Sequence, residues 1–273
     1  MAYELILLDA DGTLFDYDRA EKCAIEATFR DFGLRYSDSI LAMYRVLNDA
    51  LWRELERGNT TSEDLRVERF RRLLAEIREA EQESGCAGAS TQASTQAFAQ
   101  GPGPATASAS GSAPAIASAP AFDPALAPDA EALSRRYLQH LAAGAYLMDG
   151  AEDICCYMAQ RYTLAILTNG IAEVQRSRLA KSALHDIIPH VIISEEVGLS
   201  KPDPRIFEYA MNMLGHSRRE AVLMVGDSLS SDIRGGVNAG VDTCWYNPPG
   251  APCSGDLTPT YEIRTLHELR QLL

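Results

Sequence analysis

The sequence has no long apolar run and comparatively few basic residues. Its first apolar run, at 5–8, lies between Glu4 and Asp9 and is too short for a signal sequence or a membrane span. Against 38 Asp and Glu residues there are 25 Lys and Arg residues, which gives a net charge of -13. Because this charge repels polyanions, neither a nucleic acid polymer nor an anionic membrane is expected as a main partner. We expect a cytoplasmic protein in which any anionic substrate needs local compensation of this charge.

The sequence also lacks a Cys-x-x-Cys pair among its six cysteines, two of which, Cys155 and Cys156, are adjacent. Neither a zinc site nor a disulfide framework is indicated, so reduced thiols are expected. In contrast, 273 residues with 46% hydrophobic side chains are sufficient for a substantial core. The chain is therefore expected to fold as one large domain or two smaller ones.

One segment has little charge and few bulky apolar side chains. Residues 84–128 are mostly Ala, Ser, Gly, Pro, Gln and Thr, and Asp123 is the one charged residue among them. Such a composition buries too little apolar area to offset the entropy cost of ordering the chain. We predict a disordered insertion at 84–128 that has no chemistry of its own. The alternative is a partner-docking segment, because alternation of Ala and Pro favours polyproline II.

The rest of the sequence alternates strands and helices. Short apolar runs predict the strands, and helical periodicity predicts the segments that follow several of them. The predicted strands are 3–8, 164–167, 191–193, 222–225 and 243–246, and the predicted helices are 172–184, 204–214 and 231–239. Continuous apolar strands joined by helices predict an α/β fold with a Rossmann-like, doubly wound parallel sheet. Its ligand site is expected beyond the carboxyl ends of the strands.

Between the first two predicted strands the sequence favours helices. Three are predicted at 20–32, 41–55 and 129–141. A fourth includes Phe70 and Ile77 on one face and begins at a capping box formed by Thr60 and Glu63. We therefore predict a helical domain at 17–145, which contains the disordered insertion. The α/β domain is predicted to consist of 1–16 and 146–273.

Polar residues follow several of the predicted strands at their carboxyl ends. Because these ends meet at one edge of a parallel sheet, the polar groups are expected to converge there. Crowded carboxylates repel one another unless a cation binds them. Oxygen ligands with no His or Cys nearby favour Mg²⁺ as that cation. Each residue alone has a simpler interpretation as a turn, capping or surface residue, and only the shared position indicates a site. The residues are Asp9, Asp11, Thr168, Asn169, Gly170, Lys201, Asp227 and Asp232.

Phosphoryl transfer through an aspartyl phosphate is the chemistry that fits these residues. Asp9 is the expected nucleophile, and Asp11 is expected to protonate the leaving alkoxide and later to deprotonate water. The carboxylates of Asp9 and Asp227 and the backbone carbonyl of Asp11 are the expected Mg²⁺ ligands. The remaining roles are phosphate binding by Thr168, Asn169, Gly170 and Lys201, and orientation of a metal-bound water or of the Lys201 ammonium by Asp232.

Four motifs, in order, resemble those of the haloacid dehalogenase superfamily of phosphatases. They are DADGTL at 9–14, LTNG at 167–170, KP at 201–202, and the segment from Gly226-Asp227 to Asp232. The resemblance covers the chain outside 84–128 and implies the catalytic roles given above. It also implies that the helical segment is a mobile cap that shapes access to the site. The dehalogenases themselves lack the second acid of the first motif, so Asp11 implies a Mg²⁺-dependent phosphohydrolase.

Further stretches, among them 9–18, 50–52, 193–198 and 222–228, resemble the pyrimidine 5'-nucleotidase branch, which dephosphorylates UMP, dUMP and dTMP. The leading hypothesis is therefore a phosphatase of pyrimidine nucleoside 5'-monophosphates. The alternatives are a phosphoglycolate or sugar-phosphate phosphatase, a mutase, and a binding protein of the same fold without turnover. Trp52 and Phe15 are candidate substrate contacts, and Tyr17 is a further candidate. For all three, packing is the competing interpretation.

Overall fold

A computed structural model describes residues 3–91, 128–253 and 257–273, and of 83–91 the backbone alone. Six parallel strands form one sheet: β1 (Leu5–Leu8), β2 (Thr163–Thr168), β3 (His190–Ile193), β4 (Val222–Gly226), β5 (Asp242–Tyr246) and β6 (Tyr261–Ile263). Their order across the sheet is β3-β2-β1-β4-β5-β6. The predicted Rossmann-like α/β class is confirmed, and the five predicted strands are present. The edge strand β6 was not predicted.

The sheet forms because its strands are apolar on both faces. Ile6 and Leu8 of β1 pack into the hydrophobic cluster on one face, while Leu5 and Leu7 pack into the cluster on the other. All four side chains are fully buried. A central parallel strand with helices on both sides needs such an uninterrupted apolar run. The apolar run of β1 therefore suits the middle of the sheet, where β2 and β4 flank it.

Of the helices described between β1 and β2, the first four form the helical insertion: α1 (Tyr17–Asp31), α2 (Asp38–Glu56), α3 (Ser62–Thr91) and α4 (Ala130–Ala143). They enclose a separate hydrophobic cluster in which the rings of Tyr44, Phe70 and Tyr137 lie 5.4 to 5.6 Å apart. The cluster extends to Ile171, which precedes the first helix after β2, and to Val174 in the first turn of that helix. The helical insertion thus has its own core and a contact with the α/β part. The exact domain boundaries remain a prediction.

The helix α3 differs from the sequence prediction at both ends. Its start is capped by Thr61 rather than Thr60, because the Thr61 hydroxyl accepts a hydrogen bond from the Asp64 amide at 3.1 Å. At the other end α3 continues to Thr91, past residue 84, so the predicted disordered insertion does not begin at 84. Once a helix is nucleated, each further residue adds a hydrogen bond, and such an extension costs little. The rest of the predicted insertion, 92–127, lies outside the described residues.

The remaining helices surround the sheet: α5 (Ala151–Ala159), α6 (Ala172–Ala180), α7 (Ser194–Val197), α8 (Pro204–Met213), α9 (Arg234–Ala239) and α10 (Leu269–Leu272). Two predicted helices differ in extent. α6 ends at Ala180, and a π-helical turn, Leu229–Ile233, precedes α9 in place of a regular first turn. Such π-helical turns are frequent at functional sites. The turn carries Asp232 toward the carboxyl ends of the strands.

Two expectations from composition concern the molecule as a whole. All five cysteines whose side chains are described are free thiols. Across the described ranges, no helix has both the length and the apolarity required to cross a membrane. The cytoplasmic location remains a prediction.

Candidate active site

The sheet brings the first and fourth acidic motifs together. β1 and β4 are neighbours with Leu8 opposite Val225, and the Asp9 amide donates to the Val225 carbonyl at 2.9 Å. Asp9 and Asp227 therefore leave the sheet side by side. The loop after Asp9 passes so close to Asp227 that a β-carbon at Gly12 would lie 2.6 Å from its Oδ2, and Gly12 has a φ of +83°. Glycine satisfies both requirements.

Lys201 lies at the centre of a buried ionic cluster. Its ammonium is 2.6 Å from Asp9 Oδ1 and 2.7 Å from Asp232 Oδ1, and it donates to the Leu167 carbonyl at 2.6 Å. The lysine is 1% exposed and Asp232 is fully buried. Burial alone would lower the pKa of Lys201, but the carboxylates of Asp232 and Asp9 outweigh burial and raise it. Lys201 is therefore a permanent cation in the site.

Three carboxylates, of Asp9, Asp227 and Asp232, have oxygens that all lie within 4.8 Å of one another. Burial raises the pKa of Asp9, and the charges of Asp232 and Asp227 add to the rise, whereas Lys201 opposes it. Desolvation by surrounding protein and the charge of Asp232 raise the pKa of Asp227 to about 7, although its side chain reaches solvent in the cavity. Three carboxylates against one ammonium leave an excess of negative charge that a divalent cation would neutralise. The oxygen-only donor set suits Mg²⁺.

The carboxylate of Asp11 has different partners from that of Asp9. Its Oδ2 accepts a hydrogen bond from Gln175 Nε2 at 2.5 Å, and its Oδ1 forms an ion pair with Arg178. Arg178 is fully buried, donates to the Gly144 carbonyl at 3.2 Å, and lies over the ring of Phe15 at 4.6 Å. The carboxylates of Asp9 and Asp11 are therefore held by different residues and in different directions. The Asp11 carbonyl as a metal ligand remains a prediction.

The loop after β2 is held in place by side chains on both sides. Asn169 accepts from the Lys201 amide at 2.9 Å and donates to the Lys201 carbonyl at 2.8 Å, so its side chain anchors the lysine loop. The buried Thr168 accepts from the Gly170 amide at 3.0 Å, which leaves its own hydroxyl proton free for an anionic ligand. The first amide of α6, that of Ala172, donates to Glu195 at 2.9 Å. The phosphate-binding roles of these residues remain predictions.

A cavity of about 330 Å³ opens over these groups, a size within the usual range for small-molecule sites. Trp52 and Tyr17 line the cavity, whereas Phe15 does not. Phe15 is 1% exposed and belongs to the core of the sheet, so its position supports the packing interpretation and not a substrate contact. The lining residues are Asp9, Asp11, Tyr17, Asn48, Asp49, Trp52, Arg53, Glu56, Thr168, Asn169, Gly170, Asp227, Ser228, Ser230, Ser231 and Asp232.

Sequence reasoning missed two groups of residues around the cavity. Gln175 and Arg178 are three positions apart on α6 and reach Asp11 from the same helix face. Asn48 and Glu56 lie four positions before and after Trp52 on α2, so all three share one face. In both cases the helical spacing was visible in the sequence. The direction in which each face points depends on how the helix packs on the sheet.

A doubly wound sheet with clustered carboxylates and a buried lysine beyond its central strands defines an α/β enzyme suited to an anionic substrate and a divalent cation. The chain belongs to the family of haloacid dehalogenase-like hydrolases, whose pattern matches residues 3–240. The superfamily resemblance expected from the four motifs is thereby confirmed.

Three relatives are similar over nearly the full length of the chain. The HAD-hydrolase YfnB of Bacillus subtilis is 30% identical, over 99% of this chain and 95% of its own. The pyrimidine 5'-nucleotidase PynA of Streptococcus pneumoniae is 30% identical, over 100% of this chain and 96% of its own. The pyrimidine 5'-nucleotidase YjjG of Escherichia coli is 29% identical, over 100% of this chain and 99% of its own.

The solved structure of YfnB has a TM-score of 0.77 to this chain and covers 100% of this chain and 99% of its own. That structure is bound to magnesium and reveals interdomain movement in YfnB. Similarity on this scale confirms the fold and the enzyme family.

Proposed function

We propose that this protein is a Mg²⁺-dependent phosphomonoester hydrolase that forms an aspartyl phosphate on Asp9 and acts on pyrimidine nucleoside 5'-monophosphates. The arrangement of Asp9 carries the proposal. Its carboxylate leaves the central strand at the floor of the cavity, beside Asp227 and in contact with the Lys201 ammonium. This arrangement suits a nucleophile that attacks an anionic phosphoryl group.

In the first half of the reaction Asp9 attacks phosphorus and the bond to the ester oxygen breaks. Lys201 occupies Oδ1 of Asp9 at 2.6 Å, which leaves Oδ2 clear of the ammonium for attack. Asp11, which pairs with Arg178 as a carboxylate in the structure, must bind a proton and leave that ion pair before it gives the proton to the departing alkoxide. The Thr168 hydroxyl and Lys201 stabilise phosphoryl oxygens. A Mg²⁺ ion held by Asp9, Asp227 and the Asp11 carbonyl would neutralise the charge that accumulates around phosphorus.

In the second half a water molecule attacks the phosphorus of the aspartyl phosphate. Asp11, now ionised, accepts the proton of that water, and the P–O bond to Asp9 breaks to release inorganic phosphate. Asp232 keeps Lys201 in position throughout, through the 2.7 Å ion pair and a hydrogen bond that its Oδ2 accepts from the Ser228 amide at 3.0 Å. The residues return to their initial protonation states.

Two observations support nucleotides as the substrates. PynA and YjjG, both named pyrimidine 5'-nucleotidases, match this chain from end to end. The cavity also extends from Asp9 to Trp52 on α2, which gives it both an anionic-ligand end and an aromatic surface. A phosphoglycolate or sugar-phosphate phosphatase would use the same core residues without needing that aromatic surface.

A panel of phosphomonoesters tests the proposal. Phosphate release is measured for UMP, dUMP, dTMP, AMP, ribose 5-phosphate and phosphoglycolate, with Mg²⁺ and with EDTA. We expect the highest kcat/KM for a pyrimidine nucleotide and no turnover in EDTA. The Asp9→Asn variant, which keeps the side-chain volume, is expected to remain folded and to be inactive with every substrate. A best substrate without a base would exclude the nucleotidase, and turnover by folded Asp9→Asn would exclude the aspartyl phosphate.

A further inference from the structure

The wall of the cavity opposite Asp9 is one face of α2. Asn48, Trp52 and Glu56 follow one another at intervals of four residues and all line the cavity. Residues at this spacing lie above one another on a helix. The wall therefore combines an amide, an indole ring and a carboxylate, and its selectivity depends on how these groups are oriented.

Asn48 has a fixed orientation. It is 2% exposed, and its Oδ1 accepts from Nη1 of the buried Arg69 at 3.3 Å. Because a guanidinium only donates, the amide oxygen must face Arg69 and the amide nitrogen must face the other way. Nδ2 is 3.5 Å from the hydroxyl oxygen of Tyr17, a second residue of the cavity lining. One Nδ2 hydrogen is used by Tyr17, so the second is the donor that Asn48 can offer to a ligand in the cavity.

The neighbours of Asn48 keep it in this orientation. Glu21 follows Tyr17 by four positions on α1, so the two side chains are neighbours on one helix face. The Glu21 carboxylate is 2% exposed and paired with Arg45 at 2.7 Å. The Tyr17 hydroxyl oxygen accepts from Asn48 Nδ2. Arg69 lies over the Tyr137 ring at 4.7 Å. This chain of buried contacts holds the donor of Asn48 in place before any ligand binds, which reduces the entropy cost of recognition.

The charges of the α2 face disfavour substrates that carry a second anion at the end remote from the phosphate. Asp49 and Glu56 line the cavity together with a single cation on this helix, Arg53. Two carboxylates against one guanidinium disfavour a substrate whose far end is an anion, such as phosphoglycolate. A neutral, planar group is compatible with these charges and with the indole of Trp52.

We propose that Asn48 and Trp52 form a subsite for the base, in which the Asn48 Nδ2 donates to a carbonyl oxygen of a pyrimidine whose face lies against Trp52. This inference rests on the proposed nucleotidase function. Uracil, thymine and cytosine all carry a ring carbonyl, whereas adenine and a bare sugar phosphate lack one. Asn48 is therefore a specificity residue and takes no part in the chemistry at phosphorus.

Substitution of Asn48 tests this subsite. In Asn48→Asp the donor is replaced by an acceptor of the same shape, and the new carboxylate can pair with Arg69, so the fold is expected to persist. We expect kcat/KM for UMP to fall at least about tenfold, because a buried polar contact to the base is lost. For ribose 5-phosphate and p-nitrophenyl phosphate, which have no pyrimidine carbonyl, we expect changes below about twofold. Val46→Ala, at a position of α2 that is 70% exposed, is the matched control.

The outcomes separate this inference from the proposed function. A wild-type preference for ribose 5-phosphate over UMP would overturn the nucleotidase. If the wild type prefers UMP but Asn48→Asp loses all substrates equally, or none, the nucleotidase stands and the base subsite is refuted. Should Asn48→Asp unfold, Trp52→Leu and Trp52→Phe decide: the ratio of UMP to ribose 5-phosphate activity is expected to fall for Leu and to be kept for Phe. An unchanged ratio in Trp52→Leu would also refute the subsite.

Discussion

Asp11 lies two residues after Asp9, yet the two carboxylates have entirely different partners. Asp9 is bound by a lysine at the sheet edge, and Asp11 is bound by Gln175 and Arg178 from α6. A proton-transfer group must be directed at the ester oxygen, and small displacements are costly in rate. The hydrogen bond from Gln175 therefore orients Asp11 without touching the nucleophile, whereas the ion pair with Arg178 must open for proton transfer.

The substitution Gln175→Met tests this positioning effect. It removes the donor 2.5 Å from Asp11 Oδ2 and keeps the volume of a side chain that is 3% exposed. We expect kcat/KM for UMP, whose alkoxide needs a proton, to fall roughly tenfold, a part of the 10²–10⁴ that general acid catalysis contributes. With p-nitrophenyl phosphate, whose leaving group needs no proton, we expect a loss below about threefold.

The control for this experiment is Gln271→Met, at an exposed position of α10 that is remote from the cavity lining. It is expected to leave both substrates unaffected. Equal losses of kcat/KM for UMP and p-nitrophenyl phosphate in Gln175→Met would show that Gln175 does not assist proton donation by Asp11.

Asp227 couples metal binding to stability. Desolvation and the charge of Asp232 raise its pKa to about 7, so the carboxylate is destabilised in the absence of a cation. We expect Mg²⁺ to raise the Tm of the wild type, since a ligand of the folded state adds about 2.7 kcal/mol at 100 times its Kd. Asp227→Asn removes one of the crowded charges, so without metal it is expected to be at least as stable as the wild type. Its Tm should not respond to Mg²⁺.

Thermal unfolding with Mg²⁺ and with EDTA, monitored by circular dichroism, measures both effects. Asp149→Asn, a carboxylate that does not line this cavity, is the control and should keep the Mg²⁺ response. A full Mg²⁺ shift in Asp227→Asn would remove Asp227 from the metal site.

At the scale of elements, Glu195 on α7 joins α3 to α6. Its Oε1 accepts from Ser62 at 2.9 Å and pairs with Arg66, and its Oε2 accepts from the first amide of α6 at 2.9 Å. The carboxylate also complements the positive end of the α6 dipole. One residue thus links the helical insertion to the loop that follows β2.

Glu195→Ala is expected to loosen the start of α6 while the sheet stays intact. A lost capping contact costs about 1 kcal/mol, so amide exchange at Ala172 should accelerate roughly fivefold. Hydrogen exchange of peptides that cover Ala172 measures this change. Glu196→Ala is the matched control, because Glu196 pairs at 2.7 Å with Arg176 in the middle of α6, whereas the first amide of that helix donates to Glu195. Equal protection in both variants would contradict the linking role.

The elements also show how far the sequence predicts this molecule. β1 to β5 were predictable because buried parallel strands are continuous apolar runs, and the residues that follow them converge by topology alone. The three-residue β6 and the short α5 carry too weak a periodic signal. The contacts of Gln175, Arg178 and Asn48 were not predictable, since they depend on the rotation of α6 and α2 against the sheet. Phe15 shows the same limit, because an aromatic residue near a motif is equally suited to core packing.

At the scale of the whole molecule, the net charge is opposite to what would attract an anionic substrate to the site. The net charge is -13, yet two cations beside the site, Lys201 and Arg178, are buried and pair with Asp9 and Asp11, respectively. An anionic substrate therefore depends on local compensation at the cavity and not on attraction by the overall field. Because the net negative charge repels an anionic substrate, we expect the groups that line the cavity to bind the substrate at short range.

The last prediction concerns the connection between α3 and α4. Every residue of the cavity lining lies within 9–56 or 168–232, so none belongs to the segment that the sequence predicts to be a disordered insertion. Replacing 92–127 by a Gly-Ser linker about a quarter as long is expected to leave kcat/KM for UMP within about twofold. For a flexible segment it should stabilise the protein by about 1.2 kcal/mol, since each halving of a loop saves about 0.6 kcal/mol. Steady-state kinetics and thermal unfolding of this variant measure both quantities. A variant of full length with 92–127 scrambled is the control, and lost activity in a folded, shortened protein would show that the segment takes part in catalysis.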